Sequence, residues 1–148
     1  MPARKRRPPA ATNVVRRYAV RRVLLDTHAW LWWMASDAQL GEQAASLITR
    51  ADEAYLSAAS VWEISTKTTL GKLELPDDLD LAEELERGAF GALAITVDHA
   101  VAVRALPPLH RDPFDRMLIA QARVEGLTIV TADESIKRYE VPVIDARS

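Results

Sequence analysis

A chain of 148 residues with 49% hydrophobic content is long enough for one domain with a hydrophobic core, and no apolar run approaches the roughly 18 residues of a membrane span. It has no cysteine, which excludes disulfides, thiolate zinc sites and cysteine nucleophiles and fits a reducing compartment such as the cytoplasm. The net charge of −2 is unevenly distributed, because eight of the 19 lysines and arginines and none of the 21 acidic residues precede Val23. The rest of the chain therefore carries 11 basic and 21 acidic residues, a net charge of −10.

The basic segment comes first along the chain. It contains three prolines and shows no apolar periodicity, which predicts a disordered N-terminal extension over residues 1–21 and one folded domain over residues 22–148. It lacks the apolar region of a secretory signal. Such an extension can hold RNA through its phosphates, or it can be a dispensable tail.

Beyond the extension, short apolar runs alternate with amphipathic segments. We predict strands at residues 23–26, 54–58, 93–97, 127–131 and 141–144. We predict helices at residues 27–35, 41–51, 60–70, 79–88, 98–106, 113–125 and 132–139. Strands that are apolar throughout and alternate with helices predict an α/β sandwich with a central parallel sheet of four to five strands. Pro142 indicates that the last strand lies at an edge.

Acidic residues follow several of these strands or lie in the first turn of a helix. They are Asp26, Glu63, Asp98, Asp115 and Asp133. Ligands of parallel sheets bind beyond the carboxyl ends of the strands, so we expect several of these carboxylates to meet at one rim of the sheet.

Each acid also has a structural explanation when it is taken alone, because acids are favoured in first turns and as helix caps. Ser60 and Glu63 have the spacing of a capping box. Asp112 precedes Pro113 as an N-cap precedes a first-turn proline. A hydroxyl such as that of Thr131 could cap the helix after the fourth strand.

Considered together, the carboxylates favour a metal site. Carboxylates a few ångströms apart repel and raise one another's pKa values, and a divalent cation removes that cost. Ligands that offer only oxygen select Mg²⁺ or Mn²⁺ over zinc. Such a site, without a nucleophile or a phosphate-binding loop, indicates metal-assisted hydrolysis of a phosphodiester.

Four segments resemble the PIN-domain ribonucleases and, more narrowly, the VapC toxins of bacterial toxin–antitoxin pairs. They are "LLDTHAWLWW", "SAASVWEISTKTTLGKLELP", "LPPLHRDPFDRMLIAQA" and "LTIVTADESIKRY". They occur in the family's order and cover nearly all of the chain from about Val23 to Ile144. The "HRDPFDR" segment followed by "LIAQA" is the most specific of them.

The resemblance implies a PIN-like α/β/α fold and a Mg²⁺- or Mn²⁺-dependent endoribonuclease, often acting on transfer or ribosomal RNA. The family's four acids fall on Asp26, Glu63, Asp115 and Asp133. Asp26 and Asp115 would ligate the metal, Glu63 would bind metal or position water, and Asp133 would support the site. Thr131 matches a small hydroxyl residue often found in the family.

The basic extension departs from the family, in which the first strand usually begins near the initiator. A later start, at Val14 or Val20, is therefore an alternative to a functional extension. Asp98 and Asp112 do not match the family's four acids, and we interpret them as helix caps.

Other polar residues admit two interpretations. Lys67 lies four residues after Glu63, which favours a helical ion pair over a phosphate contact. Arg116 could contact RNA phosphate or neutralise the acidic rim. The three histidines, His28, His99 and His110, lack zinc-site spacing and are interpreted as surface or capping residues.

The first predicted helix is apolar around most of its circumference, from Trp30 to Met34. The excess can be core beneath the second helix, or an interface for a second copy or an antitoxin helix. We predict a homodimer and a VapB-type antitoxin segment that covers the first helices and reaches the acidic site.

Two other functions remain as alternatives. A non-catalytic PIN-like binding module would keep the fold without cleaving RNA, although four intact acids weigh against it. An aspartyl-phosphate phosphatase would have a second acid two residues after Asp26, where this chain has His28.

Overall fold

A computed structural model describes residues 21–148, so the predicted extension lies outside the described residues except for Arg21. The described strands are β1 (Arg22–Leu25), β2 (Glu53–Ser57), β3 (Gly91–Leu93), β4 (Thr128–Thr131) and β5 (Val143–Asp145). The helices are α1 (Thr27–Met34), α2 (Glu42–Arg50), α3 (Ala58–Thr69), α4 (Leu81–Arg87), α5 (Val97–Ala102), α6 (Pro113–Glu125) and α7 (Glu134–Lys137). A 3₁₀ turn, Val103–Ala105, follows α5.

The five strands form one sheet in the order β3-β2-β1-β4-β5, and every pairing is parallel. The predicted α/β sandwich with a central parallel sheet is confirmed. The last strand is an edge, as Pro142 indicated, and begins one residue after it. Because β1 lies at the centre between β2 and β4, the residues that follow these three strands are neighbours at one rim.

Alternate side chains of the central strand enter two separate hydrophobic clusters. Val23 and Leu25 pack with Trp30 and Ile48 on one face of the sheet. Leu24 packs on the opposite face with residues of α6 and α7. Burial on both faces explains why the strand is apolar throughout.

The third strand was predicted wrongly at residues 93–97. Its ladder with β2 pairs Tyr55 with Gly91 and ends at Leu93. The chain then turns away, because Thr96 caps α5 and forms a reciprocal capping box with His99. The apolar residues after Leu93 therefore form a loop, followed by the start of α5 at Val97.

Some helices also have bounds that differ from the predicted ones by a few residues. Ser57, rather than Ser60, caps α3, so the predicted capping box with Glu63 is wrong. The helix predicted at residues 132–139 covers only Glu134–Lys137. Helix α6 has its predicted bounds, with Asp112 as N-cap and Gly126 in the left-handed conformation at its C-terminus.

Among the described residues, none of the helices is both long enough and apolar enough to span a membrane.

Candidate metal centre

A cleft of about 330 Å³ opens at the carboxyl ends of the central strands. Its walls include the four predicted acids, which come from four different segments: Asp26, Glu63, Asp115 and Asp133. Asp112 also lines it, whereas Asp98 is exposed in the first turn of α5. The parallel topology therefore brings together the acids that the resemblance selected.

Asp26 is both a helix cap and a wall of the cleft. It follows β1 directly, and its Oδ1 accepts a hydrogen bond from the backbone N–H of Ala29 at 2.8 Å. Its Oδ2 accepts a hydrogen bond from the hydroxyl of Thr131, at the end of neighbouring β4. Burial raises the pKa of Asp26, and these two hydrogen bonds oppose the increase without cancelling it.

Capping of the last helix was one structural explanation for Thr131, but Thr131 is not the N-cap of that helix. Asp133 is the N-cap of α7 and accepts from the backbone N–H of Ser135. The Thr131 hydroxyl instead accepts from the backbone N–H of Asp133 at 3.0 Å while it donates to Asp26. One buried hydroxyl thus connects two of the acids.

Glu63 is 3% exposed, in the second turn of α3 rather than the first. Its Oε1 accepts from the hydroxyl of Thr27 at 2.6 Å, and Thr27 also hydrogen bonds with the hydroxyl of Ser60. Its Oε2 lies 2.5 Å from the Nζ of Lys67, which raises the pKa of that lysine. The predicted helical ion pair is confirmed, and it supplies a positive charge next to a buried carboxylate.

Asp115 has a strongly perturbed carboxyl group. Burial is the largest cause, and the nearby charges of Asp112, Asp26 and Glu63 add to it, so the pKa of Asp115 rises to about 7. A hydrogen bond with His110 acts in the opposite direction. Mutual repulsion of this kind is what a bound cation would relieve.

His110 is the residue that the sequence did not single out for this site. Its Nε2 lies 2.7 Å from Asp115 Oδ2 and 3.5 Å from Asp133 Oδ2. The signal that could have found it is its position five residues before Asp115, across the Asp112-Pro113 helix start. His99 is buried and capping, and His28 is exposed on the cleft wall.

Arg116 forms no ion pair with an acid among the described residues, so it does not neutralise the acidic rim directly, and its contact with RNA phosphate stays a prediction. Its guanidinium does not line the acidic cleft and donates to the backbone oxygens of Pro107, Leu106 and Val103. It also donates to the hydroxyl of Tyr139 at 3.2 Å. Arg116 anchors the segment before α6, because its planar guanidinium can donate hydrogen bonds to several carbonyls at once.

With this geometry established, comparison with known proteins identifies the family. The PIN domain profile matches residues 23–142. The chain belongs to the PIN-domain family. Ribonuclease VapC22 of Mycobacterium tuberculosis is 30% identical over 126 residues, which cover 81% of this chain and 93% of that protein. The predicted resemblance to VapC-type PIN domains is therefore confirmed.

Solved structures share the fold of this PIN domain at lower identity. FitAcB from Neisseria gonorrhoeae is 21% identical with a TM-score of 0.57, covering 84% of this chain and 97% of that one. VapBC2 from Rickettsia felis, bound to a DNA fragment from its promoter, is 11% identical with a TM-score of 0.57, covering 82% and 96%. These similarities support the α/β architecture.

Proposed function

We propose that this PIN domain is a Mg²⁺- or Mn²⁺-dependent endoribonuclease, the toxin of a VapBC-type module. The observation that carries the proposal is the meeting of Asp26, Glu63, Asp115 and Asp133 in one cleft. The identity to ribonuclease VapC22 supports the same activity. Transfer or ribosomal RNA is the substrate class that the family suggests.

The residues of the cleft fit a divalent cation. Two of the carboxyls, Asp26 and Asp115, have raised pKa values because they are buried close to other acids. We assign both as metal ligands, with Glu63 and Asp133 supporting the site. A bound Mg²⁺ or Mn²⁺ would lower the pKa of a water and neutralise the charge that develops on a phosphate.

The chain's own groups prepare this site. Thr131 and the N-terminus of α1 fix both oxygens of Asp26, so its carboxylate cannot rotate freely. Thr27 orients Glu63, and Lys67 balances its charge. Fixed carboxylates can bind a metal and orient a water without reorganisation during the reaction.

The test is RNA cleavage by the purified protein with Mn²⁺ or with EDTA. We expect cleavage only with metal, and its loss in Asp26→Asn and Asp115→Asn. Asp98→Asn is a matched control, because the same chemical change falls on an exposed acid outside the cleft. Full cleavage or full growth arrest by Asp26→Asn would contradict the proposal.

Calorimetric titration with Mn²⁺ distinguishes the nuclease from a non-catalytic binding module. The nuclease should bind the metal in the absence of RNA. If the chain does not bind metal and does not cleave RNA, but still captures an antitoxin, it is a binding module.

We also propose a VapB-type antitoxin as partner, reaching the acidic cleft from the first helices. Most of the apolar surface of α1 is used internally, since Trp30 is buried and the residues from Leu31 to Met34 are partly buried against the core. Trp32 nevertheless lines the cleft beneath the guanidinium of Arg147, which lies 5.6 Å from its ring. We expect Arg147→Glu to weaken antitoxin binding in a pull-down with the cognate antitoxin, and unchanged capture would contradict this site.

A homodimer is the third part of the proposal. Large exposed apolar side chains lie on α3 and α5, namely Trp62, Val97 and Val101. Light scattering at tens of micromolar should give twice the monomer mass, and Val101→Glu should shift the protein toward the monomer. A wild-type monomer at that concentration would contradict the dimer.

A further inference from the structure

The imidazole of His110 is aimed at the carboxylates of the cleft rather than at solvent. Its side chain is 20% exposed. Its Nε2 and one carboxylate oxygen each from Asp115 and Asp133 all lie within 4.8 Å of one another. Ligands that share one ion at bond lengths near 2.1 Å lie about 3 to 4 Å apart. The 3.5 Å from Nε2 to Asp133 lies in this range, and the 2.7 Å from Nε2 to Asp115, a hydrogen-bond distance, has to lengthen only slightly.

The backbone holds His110 in this position. Its N–H donates to the hydroxyl of Tyr139 at 2.9 Å, and that hydroxyl donates to the carbonyl of Pro107 at 3.0 Å. Arg116 donates to the same carbonyl at 2.9 Å. Two fixed side chains therefore anchor the segment before α6, so the imidazole needs little further ordering to act as a ligand.

We propose that His110 supplies a nitrogen ligand to the metal site, so that the site prefers Mn²⁺ to Mg²⁺. This inference rests on the proposed function only in that the cleft binds a divalent metal. It revises the expectation of a site made of oxygen alone. Imidazole suits transition metals, whereas Mg²⁺ favours oxygen ligands and retains its waters.

Metal binding requires a free lone pair on Nε2. Nε2 lies at hydrogen-bond distance from Asp115, and any hydrogen on this nitrogen must leave it when the metal binds. The tautomer that binds a metal through Nε2 carries its hydrogen on Nδ1. The carboxylate of Asp115, freed of its hydrogen bond, faces the same ion.

Pulsed electron paramagnetic resonance of the Mn²⁺-loaded full chain tests the ligand directly. We expect a nitrogen coupling from a directly bound imidazole in the wild-type protein and its loss in His110→Gln. His28→Gln is the matched control, because His28 also lines the cleft, and it should keep the coupling. Absence of the coupling in Mn²⁺-bound wild-type protein, or its survival in His110→Gln, would overturn the inference.

Calorimetry gives a second readout that does not depend on catalysis. We expect His110→Gln to weaken Mn²⁺ binding by about tenfold or more, the lower end of the effect of losing a metal-site partner, with a smaller change for Mg²⁺. Equal losses for the two ions, or no Mn²⁺ binding by the wild type, would overturn the inference. If the nitrogen ligand is found but RNA is not cleaved, only the proposed function fails.

Discussion

The hydroxyl of Thr131 donates a hydrogen bond to Asp26 across the parallel pair β1 and β4. The two residues are 105 positions apart in sequence, and both are buried. This contact fixes the carboxylate that ends the central strand, and it also lowers the pKa of Asp26 against the effect of burial.

Replacing Thr131 with valine keeps the shape of the side chain and removes its hydroxyl. We expect Thr131→Val to lower the free energy of unfolding by about 1–3 kcal/mol, the cost of leaving buried polar groups without a partner. Urea denaturation measures the loss. Thr131→Ser keeps the hydroxyl and should lose less, whereas equal stability of the valine variant and the wild type would contradict the prediction.

The raised pKa of Asp115 predicts a pH dependence of stability. Between its ordinary value of 3.8 and about 7, the folded protein holds a proton that the unfolded chain has released. The resulting stabilisation is complete below pH 3.8 and is lost as the pH rises through 7. At about 1.36 kcal/mol per pKa unit, a shift from 3.8 to about 7 corresponds to a loss of roughly 4 kcal/mol.

Unfolding in EDTA from pH 4.5 to 8 measures this effect. Asp115→Asn removes the titrating group, so the difference between the wild type and the variant should shrink or reverse as the pH rises. Mn²⁺ should stabilise the wild type more at pH 8 than at pH 5, because the metal binds the ionised carboxylate. Parallel pH profiles of the two proteins would refute this explanation.

Lys67 forms an ion pair with the buried carboxylate of Glu63 in the metal-free protein. Lys67→Gln leaves that carboxylate without a cation, so we expect a loss of about 1–3 kcal/mol, less than for a fully buried pair because Lys67 is 36% exposed. Mn²⁺ should then raise the melting temperature more than in the wild type, because it can replace the missing charge.

Arg87→Gln is the control for this variant. Arg87 forms an ion pair with Glu83 at the same i,i+4 spacing, where both side chains are more than 60% exposed, and a second one with Glu84 at 3.1 Å. We expect little change in melting temperature and no added response to Mn²⁺. If the two variants respond alike, Lys67 has no special relation to the acidic cleft.

Arg116→Lys tests the anchoring of the segment that carries His110. Lysine keeps the charge but cannot reach several carbonyls with a planar fork, so we expect a loss of about 1–2 kcal/mol in unfolding free energy. Mn²⁺ affinity should fall as well, since Tyr139 and Pro107 lose their shared donor. Arg111→Lys, on an exposed residue of the same segment, should leave both properties unchanged.

A variant with lower stability but wild-type Mn²⁺ affinity would show that Arg116 supports the fold without positioning the site. Tyr139→Phe provides a second route to the same question. It removes the oxygen that accepts from the backbone of His110, so it should also weaken Mn²⁺ binding.

The site was predictable where its signals are local. The ion pair of Lys67 and Glu63 follows from helix spacing, and the cap at Asp112 follows from its proline neighbour. The anchoring contacts of Arg116 were missed because its partners are backbone carbonyls, which no sequence pattern marks. Strand β3 was misplaced because the residues after Leu93 are as apolar as a strand yet form a loop and the first residue of α5.

The sequence by itself determined the alternation of strands and helices, the parallel sheet and the four acids of the family motif. These depend on hydrophobic periodicity and on short motifs, which act over a few residues. Only the tertiary structure decided that His110 faces Asp115 and Asp133 and that Thr131 binds Asp26. Those contacts depend on β1 lying between β2 and β4, and strand order is set by packing between segments far apart in the chain.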